Sequence, residues 1–453
     1  MTTTTEPQVL ITPLKPAIIK GMAQKLPVLI RVQAPDADPA KRVERKPYHL
    51  SLVIDRSGSM SGEPLIEAVR CAKYIVDQLE PTDLVSLVTF DNSVTTIAGT
   101  APVGDRRHLH RALERIRSGG TTNLHGGWKE GMESLMPGAA GAALARVILL
   151  SDGNANEGET TVAEVIANCC ADAAAKGVST STYGLGCHFN EELMVEMGKR
   201  GLGNHYYGET AADLFEPFAE EFDLISNLYA REVRLTFAAP KDIKVTLMND
   251  YAIEYRKSFP WARLPDLPWG AEAWALFELE IPHDLALASA NLSLKAGVIG
   301  TSIDGVPLAF QDATLEFEAV SVHAWEALLE NPLVQSRLTE VAAGKFLKLA
   351  RSAAAQGDWE DIQKMIAEAQ TRFADHPWVM EVLKEMADLA KVEDFARFQK
   401  EALYSSGKMS RRLSAKNEVL YDLCADGASA SYLRRKKAQG KAQFEGRTTG
   451  DGK

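Results

Sequence analysis

YHLSLVIDRSGSMSG, residues 48–62, joins an apolar run to a cluster of small oxygen-bearing side chains. The run has the make-up of a strand buried on both faces, as parallel strands between two helix layers are. Behind it Asp55, Ser57 and Ser59 stand at alternate positions, and residues two apart in an extended chain point the same way. Gly58 is expected to let the chain turn tightly between the serines. Read alone, the stretch is either a polar turn or three oxygen ligands for a hard cation.

Around it, residues 48–225 alternate strand with helix. Leu65, Val69, Ala72, Val76 and Leu79 recur at helical spacing, and LVSLVTF (84–90) and RVILLSD (146–152) are further buried strands. A helix from about Val162 to Ala175, a strand at 178–186 and a helix from about Glu191 continue the alternation. Strands separated by helices imply right-handed crossovers and a doubly wound, mainly parallel α/β sheet. Ligands bind such sheets outside the carboxyl ends of the strands. DRSGS and SDGNANEG, each following a strand, are therefore expected on one rim.

The flanks differ in period. Residues 1–47 hold one or two proline-broken strands, including VLIRV at 28–32, and a polar linker at 34–47. Residues 226–320 alternate every second residue, as in Val233, Leu235 and Phe237, then Phe277, Leu279 and Ile281, then Leu315, Phe317 and Ala319. This predicts a small β-sandwich that the N-terminal strands join, with the α/β domain inserted between its halves. Residues 321–408 read as helical hairpins lined by Leu338, Val341 and Leu349, by Ile362, Met365, Ala369 and Phe373, and by Val379, Val382, Met386 and Leu389. Residues 409–453 read as a basic, partly disordered tail.

Length, 453 residues, suggests two to four domains. A net charge of −11 argues against a general nucleic-acid binder, which needs a basic face. No run approaches the roughly 18 apolar residues of a membrane span. The start lacks the pattern of a secretory signal, and five cysteines without metal spacing fit a reducing compartment, so a cytoplasmic location is expected.

Magnesium takes octahedral oxygen ligands and keeps several waters. Neutral hydroxyls hold it weakly, so a second carboxylate and another hydroxyl are needed from the same rim. GGTTNLHGG (119–127) offers Thr121 or Thr122, and LLSDG offers Asp152.

With those pieces in place, the chain resembles von Willebrand factor A domains that carry a metal-ion-dependent adhesion site. The family pattern of D-x-S-x-S, a threonine in a glycine-bearing loop and a strand-ending D-G falls on Asp55, Ser57, Ser59, Thr122 and Asp152. RSGSMSGEPL, DGNANEG, FNEELM and NHYYGETAADLFEPFAEEF are similar to the branch containing the inter-alpha-trypsin inhibitor heavy chains and their bacterial relatives. The resemblance implies Mg2+ or Mn2+ held by the hydroxyls, with the aspartates acting largely through water. One position would stay open for an Asp or Glu carboxylate of a protein partner. It also implies that docking biases the neighbouring loops and terminal helix between two arrangements.

Other residues have plainer readings. Asp91 is read as a turn former, His125 and His188 as packing residues, and Asn154 and Asn156 as loop shapers. Trp261, Trp269 and Trp274 are placed in the core. A non-catalytic binding module is expected over an enzyme, because GSMSG has methionine where G-x-S-x-G needs serine and GLGCHF is no dinucleotide fingerprint. The alternatives are an adaptor for an AAA+ ATPase and a metal-assisted hydrolase.

Overall fold

The computed structural model describes residues 6–37, 47–139, 144–185, 190–208, 211–256, 259–288, 291–303, 305–416, 418, 433 and 435. They fall into two compact units, one within Met1–Arg42 and Asn227–Lys437, the other within Val43–Ser226.

In chain order the first half runs β1 (Gln8–Pro13), β2 (Ala17–Ile19), β3 (Gln24–Gln33), β4 (Tyr48–Asp55), α1 (Glu63–Gln78), β5 (Leu84–Phe90), β6 (Val94–Pro102), α2 (Arg107–Glu114) and α3 (Leu124–Leu135). It continues with β7 (Leu144–Ser151), α4 (Ala163–Ala175), β8 (Val178–Leu185), α5 (Glu191–Arg200), β9 (Leu202–Gly208) and α6 (Ala211–Ser226).

In the Val43–Ser226 unit the sheet order is β6-β5-β4-β7-β8-β9, parallel except for β6. Every residue of β7 is buried, as a strand covered on both faces requires. Leu65, Ala68, Ala72, Ile75 and Val76 turn one face of α1 into the core that also holds Leu50, Leu52 and Ile54. Chain order reverses between β4 and β7, so the crevice of a doubly wound sheet opens at their carboxyl ends. The helix α3 lies very close to this sheet. A Cβ on Gly127 would fall 2.4 Å from the Phe90 ring, and one on Gly131 would fall 2.4 Å from Val53 Cγ2. These glycines, one turn apart, set the depth of the helix that leads from Thr122.

The other unit holds two sheets. The first runs β1, β3, the strand Ala271–Ile281 and the strand Lys244–Leu247. The second includes the strands Leu228–Ala238, Asn291–Ser302 and Ala313–Val320, the last pairing in parallel with β2. Three strands rather than one or two precede the linker. Pro27 lies inside β3, opposite Glu278, one residue beyond the β1 register that ends at Val28. Phe277, Leu279 and Ile281 are buried, while Glu278 and Glu280 pair with Lys25. Trp274 is fully buried; Trp269 is 37% exposed and lies edge-on to Tyr229.

Four helices follow, at Pro332–Ala354, Trp359–Arg372, Pro377–Lys391 and Phe395–Arg411. The fourth passes the boundary expected at 408. Its buried face includes Lys400, Glu401, Ser405, Ser406 and Ser410, so polar residues mask its period. Leu349 is 63% exposed, against expectation, because the buried stripe of its helix runs through Val341, Leu347, Ala350 and Ala354. The first residues of the expected tail are not loose either. Met409, Arg412, Leu413 and Ser414 are buried, and Ser414–Ala415 pairs with Ala271 and Glu272. Of RRKK only Arg435 is described; it is buried against Glu418. The rest of the basic tail lies outside the described residues.

Candidate metal centre

The strand β4 delivers Asp55, wholly buried, to the sheet rim. Its Oδ1 accepts the Ser57 N–H (2.9 Å), and its Oδ2 accepts the Ser151 hydroxyl (2.5 Å). Ser57 Oγ lies 3.1 Å from Ser59 Oγ. Ser59 sits in a 3₁₀ turn, Gly58–Met60, so the serines converge through that turn and not through an extended chain. Gly58 does not need a positive φ; that falls at Gly62, where φ is 84° and α1 begins.

Three loops are tied around this turn. The Gly58 N–H donates to Gly120 O (2.7 Å), and Gly119 N–H donates to Arg56 O (2.7 Å). Thr122 N–H donates to Asn156 Oδ1 (2.8 Å), while the Asn156 and Glu157 N–H groups donate back to Thr122 O (3.1 and 3.2 Å). Asp152 Oδ1 accepts the Asn154 N–H (3.1 Å). Asp55, Ser57, Thr122 and Asp152 are all buried, and Ser59 is exposed. All five residues thus stand on loops bonded to one another at one rim.

Two residues matter more than their sequence suggested. Ser151 links Asp55 to β7 and also accepts the Gly153 N–H (2.8 Å). Asn156 is the cross-link between the Thr122 and Asp152 loops. Asp91 is a turn former, as its acceptance of Ser93 N–H and Oγ–H shows, but it also pairs with Arg56 (3.0 Å) and accepts the Gly120 N–H (3.3 Å). Burial alone would raise the Asp91 carboxyl; these donors and the Arg56 charge outweigh it and hold it below its usual range. His125 is buried with Nδ1 lacking a hydrogen-bond partner, and Glu159 is 3.9 Å away. His188 lies outside the described residues.

The donor set suits a hard divalent cation. Burial pushes the Asp55 carboxyl up to about 6 despite its two hydrogen bonds, and the nearby Asp152 charge adds to the rise. Among the described residues, no lysine, arginine or histidine forms a salt bridge with Asp55 or Asp152. Nor, among those residues, is any group of three or more carboxylate, histidine or cysteine side chains placed to hold a metal ion. A cation here would rely on two carboxylates and three hydroxyls, all oxygen, the set that magnesium and manganese accept.

A family model for the von Willebrand factor type A domain matches residues 49–220. The chain carries a von Willebrand factor A domain. The match covers the six-stranded sheet from the second residue of β4 onward and most of α6. Over 355 residues the chain is 24% identical to the uncharacterized protein sll0103 of Synechocystis sp., covering 73% of this chain and 80% of that one. It is 29% identical over 136 residues to inter-alpha-trypsin inhibitor heavy chain H1 of Mesocricetus auratus, 28% of this chain but only 15% of that protein. Among solved structures, a von Willebrand factor type A protein from Catenulispora acidiphila superposes with a TM-score of 0.66 at 13% identity, over 85% of this chain and 91% of that one. The ArnB paralog VWA2 from Sulfolobus acidocaldarius gives 0.56 at 18%, over 88% and 99%. At these identities the likeness shows the fold alone.

The A-domain loops make one prediction at Gly119, where a Cβ would fall 1.7 Å from Asp91 Oδ2. Gly119→Ala forces either Asp91 away from Gly120 and Arg56 or the Thr122 loop away from the serines. If the site holds Mg2+, its affinity is expected to fall by about 5- to 150-fold, in line with overpacking costs of about 1–3 kcal/mol. Calorimetric titration alongside far-UV circular dichroism checks it; unchanged affinity would show that the loop has slack.

Proposed function

We propose that the A domain is a non-catalytic, metal-dependent protein-binding module whose partner presents an Asp or Glu carboxylate. The observation that carries this reading is the buried carboxylate pair, Asp55 and Asp152, on the same rim as Ser57, Ser59 and Thr122 with no protein cation to balance it. Bound Mg2+ or Mn2+ would supply positive charge and an open position for an anionic oxygen. The chain's own part is to hold five oxygens on cross-linked loops. The Asn156, Ser151 and Gly58 hydrogen bonds fix those loops, so little ordering is left to binding.

A serine and a histidine come together elsewhere in the chain. Ser336 Oγ lies 3.0 Å from His376 Nε2, within the reach of a nucleophile and its base. However, His376 Nδ1 accepts the Val379 N–H (3.4 Å), and Glu340 approaches the same Nε2 edge (3.6 Å). All three side chains are buried, which closes the pair to a substrate from solvent. The heavy-chain match supports a place in that branch of A-domain proteins. No helix among the described residues is long and apolar enough to cross a membrane.

The test is capture by the immobilised full chain from its native cell extract, in Mg2+ and in EDTA. Proteins held in Mg2+ should elute with EDTA and rebind when Mg2+ is restored. Retention in EDTA would sink the mechanism, and steady turnover of an ester, phosphate or peptide that depends on Asp55 would favour an enzyme.

A further inference from the structure

We propose that the exposed face of α2 and the loop after it extend the metal site into a track for an acidic polypeptide segment of the partner. The proposal rests on the metal reading above and adds what surrounds the docking carboxylate. The chain is acidic, at −11, yet residues 105–118, DRRHLHRALERIRS, hold five arginines against Asp105 and Glu114. Leu109 and Leu113 are buried, which turns the opposite face of α2 to solvent. Arg107, Arg111 and Arg115 recur every four residues on that face, and all are exposed. The stripe is about 12 Å long, the reach of roughly four residues of extended peptide.

Much of this charge is left unbalanced. Asp105 is taken by Arg107, and Glu114 by Lys73. Arg111, Arg115 and Arg117 have no carboxylate partner among the described residues. The Arg117 guanidinium donates only to the Glu114 and Ile116 carbonyls (2.7 and 2.8 Å), which leaves its charge in place. The stripe also runs into the site. Arg117 O accepts from Arg56 Nη1 (3.4 Å), Ser118 Oγ bonds Ser61 Oγ (3.4 Å), and the next residue, Gly119, is held by Arg56 O.

The opposite flank has the other sign. Glu157 is exposed with no cation partner among the described residues, and Glu159 is held by Lys129 (3.1 Å). A segment whose carboxylate fills the metal position is therefore repelled over residues 154–159 and drawn toward α2. Exposed charges act over about 8 Å at physiological salt, so the track favours carboxylates within a few residues of the docking one. A lone acidic residue on a neutral surface gains nothing from it.

A fluorescein-labelled glutamate decapeptide tests this by anisotropy on the full chain, in Mg2+ and in EDTA, across a salt series. The double variant Arg111→Gln/Arg115→Gln changes an exposed position of α2 and its exposed C-terminal cap and leaves the Arg117 and Arg56 bonds intact. It should weaken Mg2+-dependent peptide binding about fivefold and flatten the salt dependence, with Mg2+-dependent thermal stabilisation kept. Release by EDTA with no effect of the double variant would overturn the track alone. Retention of the peptide in EDTA would overturn the metal reading, and the proposal with it. Equal or tighter binding of an oligothymidylate of matched charge would overturn the acidic-peptide assignment in favour of nucleic acid.

Discussion

Asp152→Ala is expected to abolish the Mg2+-dependent rise in melting temperature while the six-stranded sheet stays folded. A ligand present at a hundred times its Kd stabilises the state that binds it by about 2.7 kcal/mol. For a domain of this size that is a shift of about 5–10 °C, which the variant would lose. Asp152 is one of two carboxylates in the set; the three hydroxyls are neutral, so the electrostatic attraction for a dication falls sharply without it. The substitution also removes the acceptor for the Asn154 N–H, which costs about 1 kcal/mol without metal. Asp152→Asn separates the two effects, because an amide oxygen still accepts that bond and carries no charge. Differential scanning calorimetry with Mg2+ and with EDTA reads both. An Asp152→Ala protein that still gains the wild-type shift would remove Asp152 from the site.

The α/β core was legible in the sequence because its strands are continuous apolar runs and α1 keeps a clear helical period. The strands β6 and β9 were missed. All of β6 is exposed or half-buried, and LGNHYYG in β9 carries two glycines and two polar residues, so neither shows a strand pattern. At the site, residue types and spacing pointed to Asp55, Ser57, Ser59 and Asp152 and left Thr121 or Thr122 open, and the family resemblance put the threonine at Thr122. What spacing could not show is the cross-linking. Asn156 reaches Thr122 across 34 positions of sequence, and Ser151 reaches Asp55 across 96. The sole signal for Ser151 is its place beside Asp152 at the end of a buried strand. Charge pairing was similarly opaque: the residues after Arg411 looked like a solvated tail, because their burial depends on ion pairs and not on apolar period.

Those ion pairs carry the larger stability effect, and Glu340→Ala is expected to destabilise the unit that contains it by about 3–5 kcal/mol. Glu340 is wholly buried and accepts from Arg337 Nη1 (2.9 and 3.0 Å) and Arg412 Nη2 (3.1 Å). Glu418 closes the square, accepting from Arg337 Nη2 (2.7 Å) and from both Arg412 Nη atoms (2.7 and 2.9 Å). The guanidinium of Arg337 stacks over Trp274, and that of Arg412 over Trp378. Removing Glu340 leaves three buried arginines, Arg337, Arg412 and Arg435, facing the single carboxylate of Glu418. Burial alone would raise both carboxyls, but the arginines outweigh it, holding Glu340 well below its usual range and Glu418 at about 2. A folded pKa below the unfolded one contributes stability that is complete above about pH 4.5 and lost as pH falls toward 2. The wild type should therefore weaken steeply across that window, and Glu418→Gln, already weaker at pH 7, should weaken less steeply there. Urea titrations at pH 7, 4.5 and 3 measure both slopes. A Glu340→Ala loss under about 1 kcal/mol would mean that the arginines reach solvent when their partner is gone. Ending the chain at Arg411 asks the same of the strap. That truncation removes Arg412, Glu418 and the Ser414–Ala415 pairing together, and should cost at least as much as Glu340→Ala.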